Sequence, residues 1–228
     1  MGERTIEEYL ESIGTLEERK SPVSTSTLAQ MMNITAASVS EMLQRLSEKE
    51  LVDYTPYGGA KLTKEGWRRV LKLTRRHRLW EVFLNKHLDI GWEDVYKEAC
   101  SLEHATSDIV TEKLASFLNN PEVCPHGGPI LKSGKELPKI TGFPLTDLKP
   151  RQGGSVIRVI NEKDTGLLHY LNNLGLKPGV TVQVLEKASF DGTLTIKVGD
   201  SARGISSEVA SSIMIEPFKT DVNKLTIA

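Results

Sequence analysis

Residues 24–63 read STSTLAQMMNITAASVSEMLQRLSEKELVDYTPYGGAKLT, and the fold is decided here. Ser24-Thr25-Ser26-Thr27 offers hydroxyl caps for a short helix carrying Leu28, Ala29, Met31 and Met32. Asn33 closes that helix, and Thr35 can cap the next one, which runs to about Lys49 with Val39, Met42, Leu43 and Leu46 on its buried face. Leu51, Val52 and Tyr54 then form a strand, Tyr57-Gly58-Gly59-Ala60 a turn, and Lys61-Leu62-Thr63 a return strand. Upstream, residues from about 4 to 19 read as a helix with Ile6, Tyr9, Leu10, Ile13 and Leu16 on one face, broken by Pro22. Helix, short helix, tight turn, helix and hairpin is the order of a winged helix-turn-helix.

That order carries a functional expectation. Small and hydroxyl-bearing residues at a helix N-terminus can approach bases and phosphates closely. Thr35, Ala37, Ser38 and Ser40 are therefore expected at bases or phosphates of double-stranded DNA, with Arg45 and the wing residues Tyr57 and Lys61 on the backbone. The plain alternative for Ser38 and Ser40 is solvation of a helix face. The formal net charge of −1 gives no support for nucleic acid, but six basic residues from Lys64 to Arg76 oppose only Glu65.

Beyond the hairpin a long helix is expected from about Lys64 to His87, and another from Trp92 to about Leu118. Their apolar surface suits a dimer interface, and helix-turn-helix operators are usually two-fold, so a homodimer is expected. Asn119 to Gly154 is rich in Pro, Gly and Lys and reads as a linker or tether. Short β-type runs follow at Val156–Ile160, Thr181–Leu185, Leu194–Val198 and Ile213–Ile215, with a short helix around Leu167–Leu174; in outline this is a small β-barrel. The chain thus divides into a winged helix-turn-helix domain (1–64), a helical dimerisation domain (65–142), a linker (143–152), a small β-barrel domain (153–218) and a tail (219–228), mainly α with a β C-terminal part.

The 228 residues, 39% hydrophobic and 26% charged, are ordinary for a globular protein. No apolar run is long enough to span a membrane and residues 1–4 do not open a signal peptide, so a cytoplasmic protein is expected. There, Cys100 and Cys124 would be reduced thiols free to act as ligands.

Cys100, Glu103 and His104 lie at i, i+3 and i+4, which puts a thiol, a carboxylate and an imidazole on one helical face. These are three ligand types for a borderline divalent metal. His77 and Glu81 repeat the logic at i, i+4. Cys124-Pro125-His126, followed by Gly127-Gly128, adds a further thiol–imidazole pair. Each has a dull reading by itself, as core cysteine, surface helix pair or flexible loop; the signal is their occurrence together.

With these residues in view, the sequence resembles the DtxR/MntR metalloregulators. The resemblance rests on Glu8-Tyr9-Leu10-Glu11, Arg76-His77-Arg78-Leu79 with Glu81, and Glu98-Ala99-Cys100-Ser101-Leu102-Glu103-His104. Cys124-Pro125-His126-Gly127-Gly128 resembles the three-domain branch, and Leu174-Gly175-Leu176-Lys177-Pro178-Gly179 looks like a turn of its C-terminal FeoA-like barrel. The resemblance implies a metal-dependent repressor with two metal sites per subunit. The primary one would use Glu8, Cys100, Glu103 and His104, with His77 or Glu11 joining. The secondary one would use Glu81, Cys124 and His126, with Asp164 as the acidic residue from the barrel. In two respects the chain departs from the family pattern. Members with Cys at the position of Cys100 commonly carry Met where this chain has Glu8, and a His of the iron branch is Tyr96 here.

A thiolate at Cys100 favours Fe²⁺, with Co²⁺, Ni²⁺ or Zn²⁺ as substitutes in vitro, whereas the hard carboxylate of Glu8 favours Mn²⁺. Fe²⁺ is the expected metal and Mn²⁺ the alternative, with operator DNA and a second copy as partners and neither a membrane nor an organic ligand. The rival readings are a metal-dependent hydrolase, for which no separate general base is visible, an interaction protein with a merely structural metal, and a regulator sensing an organic ligand.

Overall fold

Hydroxyl side chains set the helix starts that frame the molecule. The computed structural model describes residues 2–17, 20–132 and 142–218. Its N-terminal part comprises α1 (Glu3–Glu17), α2 (Thr25–Met32), α3 (Ala36–Glu48), β1 (Val52–Thr55) and β2 (Gly59–Leu62). The side chains of Ser24 and Thr35 cap α2 and α3 by accepting from Thr27 N and Ser38 N. Asn33 takes the left-handed conformation at φ 54°, and Ile34 N donates to Ala29 O, which stops α2 and sets the tight turn. Ile6, Tyr9, Leu10 and Ile13 of α1 meet Val39, Leu43 and Leu46 of α3 in one buried core, with Leu28, Val52 and Leu62. The winged helix-turn-helix is formed as the sequence reading expects.

Thr63 caps α4 (Lys64–His87), the long helix on which the rest is assembled. The expected second long helix is two shorter ones, α5 (Val95–Glu103) and α6 (Asp108–Phe117). Two features break it. Ser107 accepts from Val110 N and starts α6 afresh, while Thr106 accepts from Trp80 Nε1 and donates to Leu102 O across the gap. Trp92 lies before α5 rather than within it, because its ring is buried in the C-terminal core and its indole N–H donates to Asn172 Oδ1 at 3.0 Å.

Much of the expected tether is packed structure. In the segment 123–129, Cys124 N donates to Gly128 O and Gly127 N to Cys124 O, which closes a tight turn with Cys124 and His126 buried. Gly127 has φ +83°, and a Cβ there would sit 2.0 Å from Ile157 O, so no other residue fits. The segment expected as a linker at 143–152 also departs from that reading. Its first residues form β3 (Phe143–Pro144), and Leu145 and Leu148 are buried in the C-terminal core, since their apolar side chains have no other place to leave water.

The C-terminal part adds β4 (Gly153–Val159), α7 (Thr165–Asn173), β5 (Thr181–Lys187), β6 (Leu194–Val198), β7 (Ser201–Ile205), α8 (Ser207–Ser211) and β8 (Ile213–Pro217). The strands make a six-stranded antiparallel sheet in the order β3-β8-β4-β5-β6-β7. Among the described residues no ladder joins β7 back to β3, so the expected barrel is seen as an open sheet order around one core. That core contains Val156, Val182, Ile196, Ile213 and Ile215 with Leu168 and Leu171 of α7. β7 escapes sequence reading because only one of its residues, Ile205, is buried. The tail expected at 219–228 lies outside the described residues, and no described helix is long and apolar enough to cross a membrane.

Candidate metal centre and DNA interface

α4 and α5 pack against each other and against α1, and three ligand-type side chains meet between them. His77, Cys100 and Glu103 bring a ring nitrogen, a thiol and a carboxylate oxygen within 4.8 Å of one another. His77 Nδ1 is 2.7 Å from Glu103 Oε2 and 3.9 Å from Cys100 Sγ. His104, at the end of α5, places Nε2 3.4 Å from Glu103 Oε1. One turn further along α4, Glu81 meets Cys124 and His126 in a second group of three, all buried and again within 4.8 Å. His77 belongs to both neighbourhoods, because its Nε2 is 3.2 Å from Glu81 Oε1.

Burial and charge set the protonation of these groups. Burial would lower the pKa of His77, but bonds to Cys100, Glu103 and Glu81 outweigh it and hold the imidazole well above its ordinary value. Burial would raise Glu81, yet its contacts with His126 and His77 pull it below the usual carboxylate range. Glu103 is raised, chiefly by burial. The Cys124 thiol is pushed well up by burial and then by the charges of Glu81 and Glu162. For His126 burial acts downward, but Glu81 overcomes it and the pKa is raised. The surrounding carboxylates thus favour the protonated forms of His77 and His126.

Several buried polar atoms are left without hydrogen-bond partners. Glu81 Oε2, Glu162 Oε2 and His126 Nδ1 have no hydrogen-bond partner, although His126 Nδ1 lies 2.9 Å from Glu81 Oε1; that contact is an ion pair without hydrogen-bond alignment. The other nitrogen of the ring, Nε2, donates to Trp92 O at 2.7 Å. Unpaired buried groups of this kind cost about 1–3 kcal/mol each and fit a divalent cation well. Thiol, imidazole and carboxylate are also the donor types such a cation accepts.

The remaining expected site residues are placed differently. Glu8 is partly exposed and accepts from Arg4 Nε at 2.8 Å. Arg4 flanks the first cluster, its charge stabilised first by Glu8 and also by Cys100 and Glu103. Glu11 accepts from Lys163 at 3.0 Å, which ties α1 to the C-terminal part. Asp164 is engaged as the cap of α7, accepting from Leu167 N at 2.9 Å, and it does not meet the second cluster. The acidic group near it is Glu162, which acts electrostatically on Cys124 and His126 and stands 3.8 Å from Arg78. An Asp immediately before a helix is the usual cap, and that signal could have separated the two. Sequence reading also missed Glu7, whose Oε2 is 2.7 Å from His104 Nδ1. Between α1, α4, α5 and the end of β4 lies a cavity of about 190 Å³, lined in part by Glu11, His77, Arg78, Glu103 and Glu162.

On the outer face of the N-terminal part, Thr35, Ala37, Ser38 and Arg45 are exposed and Ser40 is half-buried. Several are already engaged locally. Thr35 Oγ1 and Ser38 Oγ are 2.9 Å apart, Ser40 donates to Ala36 O, and Arg45 pairs with Glu41. At the hairpin tip Tyr57 is fully exposed at φ 65°, and Lys61 is exposed on β2. Arg75 and Arg76 are not free surface charges: Arg75 bonds Glu112 and Leu131 O, and Arg76 bonds Asp108 and Glu7. α6 leaves Ile109, Val110 and Phe117 exposed, with Phe117 against Phe83 and His87.

Comparison with known proteins matches three parts of the chain. Residues 2–60 match the iron dependent repressor N-terminal DNA binding domain, residues 63–132 its metal binding and dimerisation domain, and residues 143–217 the FeoA domain. An HTH-type transcriptional regulator of Methanocaldococcus jannaschii is 35% identical over 116 residues, covering 50% of this chain and 93% of that protein. The iron-dependent repressor IdeR of Mycobacterium tuberculosis is 29% identical over 224 residues, covering 93% of this chain and 96% of that protein. Among solved structures, a manganese-dependent transcriptional repressor complexed with manganese superposes with a TM-score of 0.84 at 30% identity, over 93% of this chain and 99% of that one. The manganese regulator SloR gives 0.77 at 37% identity, over 93% and 98%. Fold, ligand clusters and relatives agree: the chain belongs to the iron-dependent repressor family of DtxR/MntR type, the metal-dependent transcriptional repressors, in its three-domain form.

Proposed function

We propose that this protein is a homodimeric repressor of metal-homeostasis genes whose binding to double-stranded operator DNA is switched on by Fe²⁺. The observation that carries this reading is the pair of largely buried thiol–imidazole–carboxylate clusters, the first between α4 and α5 and the second between α4 and the segment 123–129. Cys100, Glu103, His104 and His77 would hold one ion, and Glu81, Cys124, His126 and Glu162 the other. A bound divalent cation supplies positive charge that lets these residues converge without the protons they otherwise need. α1 reaches the first site through Glu7, which meets the ligand His104, while α4 and α5 bring the ligands from the helical domain. Drawing the two together restrains α1, and with it the capped N-terminus of α3, in one orientation. Thr35, Ala37, Ser38 and Ser40 then face the DNA, with Arg45, Tyr57 and Lys61 toward its backbone. Two copies joined through Ile109, Val110 and Phe117 of α6 would present two such helices to a two-fold operator in the cytoplasm.

Two thiols among the donors favour Fe²⁺, for which Co²⁺, Ni²⁺ or Zn²⁺ can substitute in vitro. Mn²⁺ is the second reading, favoured by the likeness to two manganese regulators and by the hard carboxylate of Glu103 at the first cluster. Spectroscopic titration with Co²⁺ tests the two sites. The native chain is expected to bind two equivalents, and Cys100→Ala and Cys124→Ala to lose thiolate–cobalt absorption from one site each. Undiminished thiolate absorption in both variants would refute the assignment.

A further inference from the structure

The imidazole of a metal-binding histidine has two nitrogens, and the partner of one decides whether the other is free to ligate. His104 Nδ1 lies 2.7 Å from Glu7 Oε2, while its Nε2 faces Glu103 Oε1 at 3.4 Å. Glu7 Oε1 is in turn 3.5 Å from Arg76 Nη1, and Arg76 Nη2 donates to Asp108 at 3.0 Å. All three side chains are largely buried, at 14% exposure for Glu7, 12% for Arg76 and 9% for His104. Glu7 is therefore seated between a fixed cation and the ring, in a place where a carboxylate can only accept. Glu8, the neighbouring carboxylate, is turned to Arg4 instead.

We propose that Glu7 is the positioning residue for His104, its carboxylate fixing the Nδ1–H tautomer and so presenting Nε2 as a ligand beside Glu103. The inference rests on the first cluster being a metal site. Its consequence is a link from the DNA-binding domain to the ligand set that does not pass through Glu8: α1 holds the tautomer of a ligand on α5. A carboxylate behind a ligating imidazole typically affects metal affinity 10–100-fold.

Two measurements on the full-length chain test this. Long-range ¹H–¹⁵N correlation on the metal-free native protein at pH 8 reports the tautomer directly. His104 is expected with the proton on Nδ1; a proton on Nε2 overturns the proposal. Co²⁺ titration then compares Glu7→Ala with Glu7→Gln, whose amide oxygen can still accept from Nδ1–H. Glu7→Ala is expected to bind roughly 10–100-fold more weakly at the first cluster, and Glu7→Gln to remain within about threefold of native. Equal loss in both variants would make the carboxylate a direct ligand, and no loss in either would make it a bystander; both overturn the proposal. Glu103→Ala in the same titration separates the two layers of argument. If it too leaves affinity unchanged, the metal-site reading fails; if it abolishes binding while Glu7 variants bind normally, only the role of Glu7 fails.

Discussion

His77 touches both ligand clusters, with Nδ1 toward Glu103 and Nε2 toward Glu81. Its raised pKa means that its share of metal-free stability is complete below about pH 6.5 and is lost as pH rises through the folded value. Glu81, lowered from about 4.5, works the other way: its share is present above that value and is lost as pH falls through the folded one. A cation entering these clusters competes with the protons that the same groups favour. Metal affinity should rise with pH by roughly tenfold per unit for each proton released, as measured by competition titration of Mn²⁺ or Co²⁺ between pH 6 and 8. A flat profile would contradict the protonated cluster. At this scale the sequence was partly legible. Cys100 and Glu103 are one helical turn apart and had to share a face, whereas Glu7 and Glu8 are about 100° apart on α1 and only tertiary packing turns the former inward. Asp164 and Glu162 differ by two positions, and helix-capping consumes the former.

Among the elements, the winged helix-turn-helix was readable because its caps, apolar period and hairpin turn are local chemistry. The break between α5 and α6 was missed although Ser107 is a local cap, because the turn is fixed by Trp80 finding Thr106, and the late start of α5 by Trp92 finding Asn172 across the fold. The turn at 123–129 looked like a flexible loop by composition, and it is fixed by contact of Gly127 with β4, which no local pattern announces. α6 supports its own prediction. Ile109 is 76% exposed and Phe117 61%, an apolar face left mostly open although Phe83 and His87 flank Phe117. The double variant Ile109→Glu, Phe117→Glu should sediment as a monomer, keep metal affinity within a few-fold, and lose most of its DNA affinity. A variant that remains dimeric would place the interface elsewhere.

For the whole molecule, three separately cored regions meet around one cavity and the two clusters. The C-terminal sheet is joined to the others by Trp92 in its core, by His126 O accepting from Val159 N, and by Lys163 on Glu11. The last of these is an exposed pair, worth about 1 kcal/mol at most, so the buried contacts dominate. Every region therefore borders the ligands, which is the arrangement by which metal occupancy can bias domain orientation. A coupling of about 1–3 kcal/mol, or 5–150-fold in affinity, would be typical, and it must act equally on metal and DNA binding. The most direct test is fluorescence anisotropy with genomic fragments selected by pull-down, first with chelator and then with anaerobic Fe²⁺ or Mn²⁺. The account predicts at least fivefold tighter DNA binding with metal, lost in Glu103→Ala; equal affinity with and without metal would contradict it.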